Sequence, residues 1–362
     1  MPASFNISSS TGSYQVKVAS GAFADWARDQ PHDCILADHF FASVSTLAKD
    51  GSSEPFWINA TEAEKSLDRL PGLIEEMRGR GISREHHLWA IGGGITQDIA
   101  AFVSSVYMRG LPWSYVPTTV LAMVDSCIGG KSSINVGSFK NLIGTFHPPQ
   151  QIIVDPTTAF TLPPDQLASG LIEAAKICFC RNEDSFQRYL ACCPSPTMSH
   201  DAFEQVVINS LLAKKHFIEV DEFDKGDRLL LNFGHTFGHA IEGASHYAIP
   251  HGIAVGLGIL CSLILQEQRG VSFSKAPRVE MLKRHLVSMV ESMPDLRVRL
   301  EELNIQEILE RFQSDKKHSS KHYTLILVAP NGLVFRESFE RAPSVLQSIG
   351  RSIETMIRRL VA

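Results

Sequence analysis

The stretch Leu-Leu-Asn-Phe-Gly-His-Thr-Phe-Gly-His-Ala-Ile-Glu, residues 230–242, holds two histidines four positions apart, and a third, His251, follows. On a helix, His235 and His239 share one face and can point at a single centre. With a carboxylate from elsewhere in the chain, such histidines make a catalytic divalent-metal site that leaves a coordination position open for substrate. Three glycines beside them permit close approach of the backbone, which favours a metal site over separate structural histidines.

Length and composition set the class of protein to expect. The 362 residues suffice for two domains, and 44% hydrophobic with 20% charged residues is typical of a soluble globular protein. No apolar run reaches the roughly 18 to 20 residues of a membrane span, and the N-terminus lacks the features of a signal peptide. A net charge of -5 argues against nucleic acid as the main partner, because binders of the phosphate backbone carry a basic surface.

The seven cysteines indicate a compartment. Their number is odd, their spacing is irregular, and they include no pair of Cys-x-x-Cys units. A disulfide framework or a structural zinc site therefore fits poorly, and we predict a reducing, cytoplasmic setting.

The N-terminal part alternates short apolar runs with helical stretches, as an α/β domain does. The run Cys34–Asp38 ends in an acid that can bind a ribose hydroxyl of a dinucleotide, although an aspartate there is also a common helix cap. A further strand runs into the glycines of Gly-Gly-Gly-Ile-Thr-Gln-Asp, residues 92–98. Such glycines let backbone amides approach a pyrophosphate, or form a tight turn without a ligand. Two glycine-rich loops, 125–131 and 139–144, supply lysines with few balancing acids, which favours anion binding over a solvated surface.

The pattern changes near residue 160, after which the spacing is mainly helical. We predict an α/β domain over residues 1–160 and a mainly helical domain over 161–362. Glu173 and Lys176 are three apart on one helix face amid apolar residues. They form either an ordinary ion pair within the helix or part of a site.

Several motifs, in this order, resemble the 3-dehydroquinate synthase family of sugar-phosphate cyclases over about residues 35 to 330: GGGITQD, YMRG, PTT, MVDS-x-x-GGK, KN-x-IG, GLIEAAK, DE-x-x-x-G-x-R, LNFGHTFGHAIE and HG. The resemblance implies a Rossmann-like N-terminal dinucleotide-binding domain and a largely α-helical C-terminal metal-binding domain. It also implies bound NAD, a divalent metal, with zinc expected, and a homodimer. The reaction would be cyclisation of 3-deoxy-D-arabino-heptulosonate 7-phosphate to 3-dehydroquinate with phosphate release, in the shikimate pathway to aromatic amino acids.

The resemblance also implies a role for individual residues. The metal ligands would be Glu173, His235 and His251, so that His239 becomes a residue facing substrate. NAD would be bound by Asp38, Glu62, Lys65, Gly93, Gly94, Asp98, Thr118, Thr119, Asp125, Lys140, Thr161 and Leu162. The substrate phosphate would meet Lys131, Asn141, Asn232, His239 and either Lys316 or Lys317, with Arg109 contributed across the dimer interface. Lys214 and Arg228 would face the substrate carboxylate, and the catalytic residues would be His239, Lys176, Lys131, Arg228 and Asn232.

Four positions differ from the family pattern. Ile253 stands where the family commonly has Glu, Gln97 where it has Gly, Ser132-Ser133 where it has Thr-Gly, and Gln166 where it has Glu. A missing carboxylate beside a metal ligand can change the orientation of that ligand and the metal affinity. The departures leave other readings open: a related cyclase acting on another heptulose phosphate, a dehydroquinate synthase-like enzyme of specialised metabolism, a metal-dependent polyol dehydrogenase, or a catalytically silent homologue. Retention of both Lys214 and Arg228 favours a carboxylated substrate.

Overall fold

The computed structural model describes residues 3–29, 34–43, 47, 54–137 and 139–362. The chain divides into two compact units. Unit 1 comprises Met1–Thr161 and His200–Phe223, and unit 2 comprises Leu162–Ser199 and Asp224–Ala362.

The secondary structure of the described residues is as follows. The strands are β1 (Ala3–Ser9), β2 (Gly12–Val18), β3 (Cys34–Asp38), β4 (Phe56–Ile58), β5 (Leu88–Gly92), β6 (Trp113–Pro117), β7 (Ile134–Val136), β8 (Phe139–Ile143), β9 (Gln151–Val154), β10 (His322–Val328) and β11 (Val334–Glu340). The helices are α1 (Ala22–Asp29), α2 (Leu70–Gly79), α3 (Gly94–Val106), α4 (Pro164–Arg181), α5 (Glu183–Ala191), α6 (His200–Val220), α7 (His235–Ala244), α8 (His251–Gln268), α9 (Pro277–Val290), α10 (Leu296–Glu301), α11 (Ile305–Gln313) and α12 (Pro343–Val361).

Unit 1 is built on a seven-stranded sheet of order β1-β2-β9-β6-β5-β3-β4. Only the β1–β2 pair within this sheet is antiparallel. Strands β5 and β6 are buried along their whole length, because a parallel sheet covered on both faces selects continuous apolar runs. The carboxyl ends of β3, β5 and β6 lie at one edge of the sheet, where Asp38 and the glycines of residues 92–94 are found. The predicted α/β class is confirmed.

Helix α6 belongs to unit 1, so a single boundary near residue 160 does not describe the division of the chain. The helix packs against β1, β2 and the turn Ala122–Ser126. On its buried face, Glu204 accepts hydrogen bonds from the backbone amide and hydroxyl of Ser20 at 3.2 and 3.0 Å. The amphipathic spacing of α6 indicates a buried face, but it does not indicate which unit covers that face.

Unit 2 is mainly helical around α8, which is buried almost all round, as the long apolar run after His251 predicts. Helices α4, α7, α9 and α12 pack against it. The approach of α8 to its neighbours depends on glycine: a Cβ on Gly258 would lie 2.1 Å from the carbonyl oxygen of Gly234, and one on Gly252 would lie 2.0 Å from that of Ser169. Among the described residues, no helix has the length and apolarity that crossing a bilayer requires.

Unit 2 also holds a histidine whose burial makes stability depend on pH. His285 Nε2 lies 2.7 Å from the hydroxyl of Tyr189, which lies 2.8 Å from the carbonyl oxygen of Leu171. Burial lowers the pKa of His285 to about 4, whereas an unfolded chain has a histidine pKa of about 6.5. Between these values the unfolded chain binds more protons than the folded one. Stability is therefore fully present above pH 6.5 and is lost as pH falls toward 4, by about 3 kcal/mol in total.

Replacing His285 with glutamine tests this contribution. Glutamine does not titrate and can still donate a hydrogen bond toward Tyr189. We expect the wild type to lose about 2 kcal/mol more unfolding free energy than His285→Gln between pH 7 and pH 5, measured by urea unfolding. Parallel losses in the two proteins would contradict the assignment.

Candidate functional site

A carboxylate and two histidines of unit 2 converge on one point. Glu173 on α4 is fully buried, and its Oε1 lies 3.6 Å from His235 Nε2 and 3.7 Å from His251 Nε2. Oε1 has no hydrogen-bond partner among the described residues, whereas Oε2 contacts the ammonium of Lys176. A tetrahedral zinc ion with bonds of about 2.0–2.1 Å places its ligand atoms roughly 3.4 Å apart. The distances from Oε1 to the two histidine nitrogens are therefore close to those expected around one divalent cation, which would give Oε1 a partner.

The second nitrogen of each histidine is engaged in a way that suits metal binding. His235 Nδ1 lies 3.3 Å from the carbonyl oxygen of Phe233, and His251 Nδ1 lies 3.0 Å from Glu242 Oε2. Each ring can therefore donate through Nδ1 and leave Nε2 as the metal-binding atom. Burial, reinforced by the positive charge of Lys176, holds the pKa of His235 well below its usual value, so the ring is neutral. For His251 burial acts in the same direction, but the contact with Glu242 prevails and raises the pKa.

Glu242 was assigned no role from the sequence, although it ends the stretch 230–242 and lies seven residues after His235, on the same helix face. It bears directly on one departure from the family pattern. Ile253 is fully buried on α8 and offers no carboxylate, and Glu242 is the residue that orients His251.

The three histidines also form a group by themselves. The rings of His235, His239 and His251 have centroids 5.3 to 5.7 Å apart, and one nitrogen of each lies within 4.8 Å of the others. The surroundings of Glu173 favour the set that contains it over this set. Lys176 contacts Oε2 and balances the charge, but Oε1 faces both His235 and His251 and has no hydrogen-bond partner among the described residues, so a metal held by the histidines alone would leave it unsatisfied.

His239 is instead surrounded by charged groups. Its Nδ1 lies 3.5 Å from Lys317 Nζ and 3.8 Å from Asp315 Oδ2. Asp315 holds Lys317 in place by accepting hydrogen bonds from its backbone amide at 2.8 Å and its ammonium group at 3.1 Å. Burial lowers the pKa of His239, so this ring is neutral near pH 7 and can accept a proton. The structure places Lys317 at His239 and leaves Lys316 exposed; Asp315, adjacent in the same loop, was missed in the sequence.

The other predicted residues of unit 2 lie on neighbouring segments. Lys176, one turn after Glu173 on α4, is only 2% exposed, which excludes an ordinary solvated ion pair. Arg228 and Asn232 lie on the 3-10 helix Asp227–Asn232 that leads into α7. Arg228 is buried, and the amide of Asn232 donates to the carbonyl oxygen of Leu229 at 3.1 Å.

In unit 1 the structure brings together five predicted residues. Lys65 Nζ lies 3.1 Å from Asp98 Oδ2, 3.0 Å from Asn141 Oδ1 and 3.7 Å from Glu62 Oε1. Lys140 Nζ lies 3.7 Å from the same Glu62 oxygen. These contacts connect the residue pair Glu62 and Lys65, the end of the glycine turn and the β7–β8 hairpin.

Asn135 organises this cluster and was missed in the sequence. Its amide donates to Glu62 Oε1 at 2.9 Å, and its oxygen accepts from the backbone amide of Asn141 at 2.9 Å. Asn141 has a φ of 53°, a left-handed conformation that a non-glycine residue keeps only when its surroundings hold it there. Burial raises the pKa of Asp98 to about 6 in spite of the nearby Lys65.

Hydrogen bonds from Tyr115 and Thr118 fix the glycine turn between β5 and α3. The hydroxyl of Tyr115, a fully buried residue, lies 2.9 and 3.0 Å from the carbonyl oxygens of Gly92 and Gly93. A Cβ on Gly93 would lie 2.8 Å from Thr119 Cγ2, so only glycine permits this approach. The amide of Thr118 donates to the Gly92 carbonyl at 2.9 Å. The amides at the start of α3 have no partner within the helix and can bind an anion.

The remaining predicted residues lie elsewhere in the two units. Asp38 Oδ1 accepts from the backbone amide of Phe40 at 3.1 Å and so acts as a helix cap. Arg109 is exposed at the end of the 3-10 helix Tyr107–Arg109, where its φ is 69°, and Lys131 Nζ lies 5.8 Å from the ring centre of Phe146. Thr161 ends a 3-10 helix of unit 1, whereas Leu162 belongs to unit 2.

Lys214 and Asp125 form a partly buried pair in unit 1. Lys214 is 5% exposed, and its ammonium group donates to the carbonyl oxygen of Asp125 at 2.6 Å and pairs with the Asp125 carboxylate.

The structure also shows the surroundings of two other departures from the family pattern. The hydroxyl of Ser132 accepts from the backbone amide of Thr145 at 2.8 Å, and Gln166 is exposed in the first turn of α4.

Comparison with solved structures supports the fold. A 2-deoxy-scyllo-inosose synthase complexed with carbaglucose-6-phosphate, NAD+ and Co2+ aligns with a TM-score of 0.82 at 20% identity, covering 98% of this chain and 99% of that one. The 2-epi-5-epi-valiolone synthase from Streptomyces hygroscopicus subsp. jinggangensis 5008, with NAD+ and Zn2+ bound, aligns with a TM-score of 0.77 at 23% identity, covering 96% and 97%. At these identities the likeness shows the fold.

Comparison of sequences shows the family. Residues 55–169 match a family model described as 3-dehydroquinate synthase N-terminal, and residues 170–318 match one described as 3-dehydroquinate synthase C-terminal. The 3-dehydroquinate synthase of Saccharolobus solfataricus is 35% identical over 272 residues, which cover 72% of this chain and 73% of that protein. That of Xanthomonas axonopodis pv. citri is 33% identical over 336 residues, covering 87% and 89%. The chain therefore belongs to the 3-dehydroquinate synthase family.

Proposed function

We propose that this protein converts 3-deoxy-D-arabino-heptulosonate 7-phosphate to 3-dehydroquinate with release of phosphate, using NAD and a divalent metal. Its relatives carry the name of that activity, and it is an enzyme of this phosphate-eliminating lyase type. The observation that carries the proposal is the buried Glu173 carboxylate facing two histidine Nε2 atoms, with Lys176, His239 and Lys317 in the same unit.

The proposed metal ligands are Glu173, His235 and His251. Two histidines and one glutamate are a ligand set of catalytic zinc sites, and zinc is the metal we propose. Lys176 balances the charge of Glu173 on the side away from the histidines. Phe233 and Glu242 fix the two rings so that Nε2 faces inward.

When bound, NAD and the metal supply reversible hydride removal from a hydroxyl group and polarisation of its oxygen. The protein's own residues then bind the anionic ends of the substrate and move protons. Neutral His239 can accept a proton released when phosphate is eliminated, and Lys317 beside it can stabilise the negative charge of the departing phosphate. Asp315 keeps Lys317 oriented through two hydrogen bonds.

Further residue roles are part of the same proposal. In unit 1, Lys131, Asn141 and Arg109 bind phosphate, and Lys214 binds carboxylate. In unit 2, Asn232 binds phosphate and Arg228 binds carboxylate. The NAD-binding residues are those named for the family above. We also propose a cytoplasmic homodimer in which the exposed Arg109 of one protomer serves the other, and all seven cysteines are free thiols, consistent with a reducing compartment.

Phosphate release from two related sugars tests the substrate. The purified protein, supplied with NAD and Zn2+, is incubated with 3-deoxy-D-arabino-heptulosonate 7-phosphate or with sedoheptulose 7-phosphate, which has no carboxylate. We expect release from the first sugar at least about 100-fold faster, because a site built to bind a substrate carboxylate discriminates strongly against the analogue that lacks it. Release from sedoheptulose 7-phosphate alone would assign a different cyclase activity. Net accumulation of NADH with a simple polyol would instead indicate a dehydrogenase.

A further inference from the structure

The turn Ala122–Ser126 of unit 1 is π-helical, with the amide of Cys127 donating to the carbonyl oxygen of Ala122 at 3.0 Å. Single π-helical turns are rare and are frequent at functional sites. The last three carbonyl groups of this turn each accept a hydrogen bond from a side chain of another element. Ser210 Oγ donates to Val124 at 2.8 Å, Lys214 Nζ to Asp125 at 2.6 Å, and Gln97 Nε2 to Ser126 at 2.7 Å.

Gln97 makes two of the contacts that hold this turn. Besides its bond to the Ser126 carbonyl, it accepts a hydrogen bond from the Ser126 hydroxyl at 2.7 Å. The side chain is 3% exposed on the first turn of α3. A glycine, which the family commonly has at this position, could make neither contact. The two bonds therefore attach Ser126 to the helix that begins at Gly94.

Asp125 is the middle residue of the three whose carbonyl groups accept these hydrogen bonds, and its carboxylate pairs with the ammonium of Lys214. From this arrangement we infer that Gln97 is a positioning residue: by fixing Ser126 it fixes the Asp125–Lys214 pair in the geometry that serves ligand binding. The inference rests on the proposed function, in which Asp125 contacts NAD and Lys214 meets the substrate carboxylate. It adds a role for a residue that departs from the family pattern.

Two measurements test separately whether Gln97 positions the Asp125–Lys214 pair and whether that position matters for NAD binding. Pulse labelling with acetic anhydride, read by mass spectrometry, reports the accessibility of the Lys214 amine, and calorimetric titration reports the dissociation constant of NAD. Loss of two buried hydrogen bonds in Gln97→Ala should raise the Lys214 labelling rate and the NAD dissociation constant about tenfold each. Ser126→Ala, which keeps the bond from Gln97 to the backbone carbonyl, should have a smaller effect on both.

Tyr107→Phe is the matched control. Its hydroxyl donates to the carbonyl oxygen of Ile82 at 2.7 Å, so the variant loses a buried hydrogen bond at the other end of α3. We expect a loss of thermal stability similar to that of Gln97→Ala, with Lys214 labelling and NAD affinity within about twofold of wild type. If Gln97→Ala behaved like this control, the inference would be wrong.

A double variant shows whether Gln97 acts through Asp125. In an Asp125→Ala background, Gln97→Ala should change NAD affinity by less than about twofold, because the group it positions is absent. Full additivity of the two effects would overturn the inference. If the wild type bound no NAD, the proposed function would be contradicted. Faster Lys214 labelling in Gln97→Ala would in that case still support the inference that Gln97 positions the pair.

Discussion

Glu173→Gln is expected to abolish metal binding and to lower the cyclisation rate by more than about 10³-fold. The carboxylate oxygen that faces both histidine Nε2 atoms has no hydrogen-bond partner among the described residues, so a cation is the partner its surroundings suit. A neutral amide is a much weaker ligand for a divalent ion. Elemental analysis of the purified protein measures the metal content, and phosphate release measures the rate.

Two further variants separate metal loss from unfolding. Glu173→Gln leaves the ammonium of Lys176 buried without its carboxylate, so the double variant Glu173→Gln with Lys176→Met should regain stability and still lack metal. Glu204→Gln removes a buried carboxylate of unit 1 that accepts hydrogen bonds from Ser20, and should retain metal. If Glu173→Gln still bound one metal ion per chain, Glu173 would not be a required ligand, and the three histidines would be the metal-binding set.

Periodicity predicted most of the secondary structure that surrounds the site. The alternation of apolar runs with helical stretches gave the α/β class, and the apolar run after His251 gave a buried helix. The spacing of His235 and His239 placed two histidines on one helix face, as observed. Local spacing is sufficient for these features because each depends on neighbours within one element.

Contacts between distant segments could not be read from spacing. The approach of Glu173 to both histidines depends on the packing of α4 against α8, and the sequence indicated it only through the family resemblance. Helix α6 shows the same limit, because its amphipathic pattern does not say which unit buries it. Gln97 shows it in another form: the sequence marked it only as a departure from the family pattern, and the fold shows that it makes two hydrogen bonds with Ser126.

Supporting carboxylates were missed for a related reason. Glu242 and Asp315 both lie in motifs that the sequence singled out, but neither was expected to contact the site directly. Their function is to hold another side chain, His251 or Lys317, and that depends on side-chain direction. Carboxylates on the helix face of a histidine that is predicted to bind metal are the signal that could have identified Glu242.

The close contact of α7 and α8 at Gly258 predicts a large loss of stability and metal affinity when a side chain is added there. A Cβ on Gly258 would lie 2.1 Å from the carbonyl oxygen of Gly234 and 2.7 Å from the amide nitrogen of Gly238, and both are backbone atoms that cannot rotate away. In Gly258→Ala, α7 must shift and carry His235 away from His251. We expect a loss of about 3 kcal/mol in unfolding free energy and of 10–100-fold in metal affinity, measured by urea unfolding and by chelator competition.

Gly256→Ala on the same helix is the control for this prediction. A Cβ there would meet the ends of the Ile172 and Val290 side chains at 3.1 and 3.2 Å, and such atoms can move by a few tenths of an ångström. The expected cost is below about 1 kcal/mol, with metal affinity unchanged, because alanine also favours the helix. Metal affinity that fell equally in both variants would mean that the helix as a whole is sensitive to added volume. A fall confined to Gly258→Ala would mean that the glycine contact between α7 and α8 sets the distance between His235 and His251.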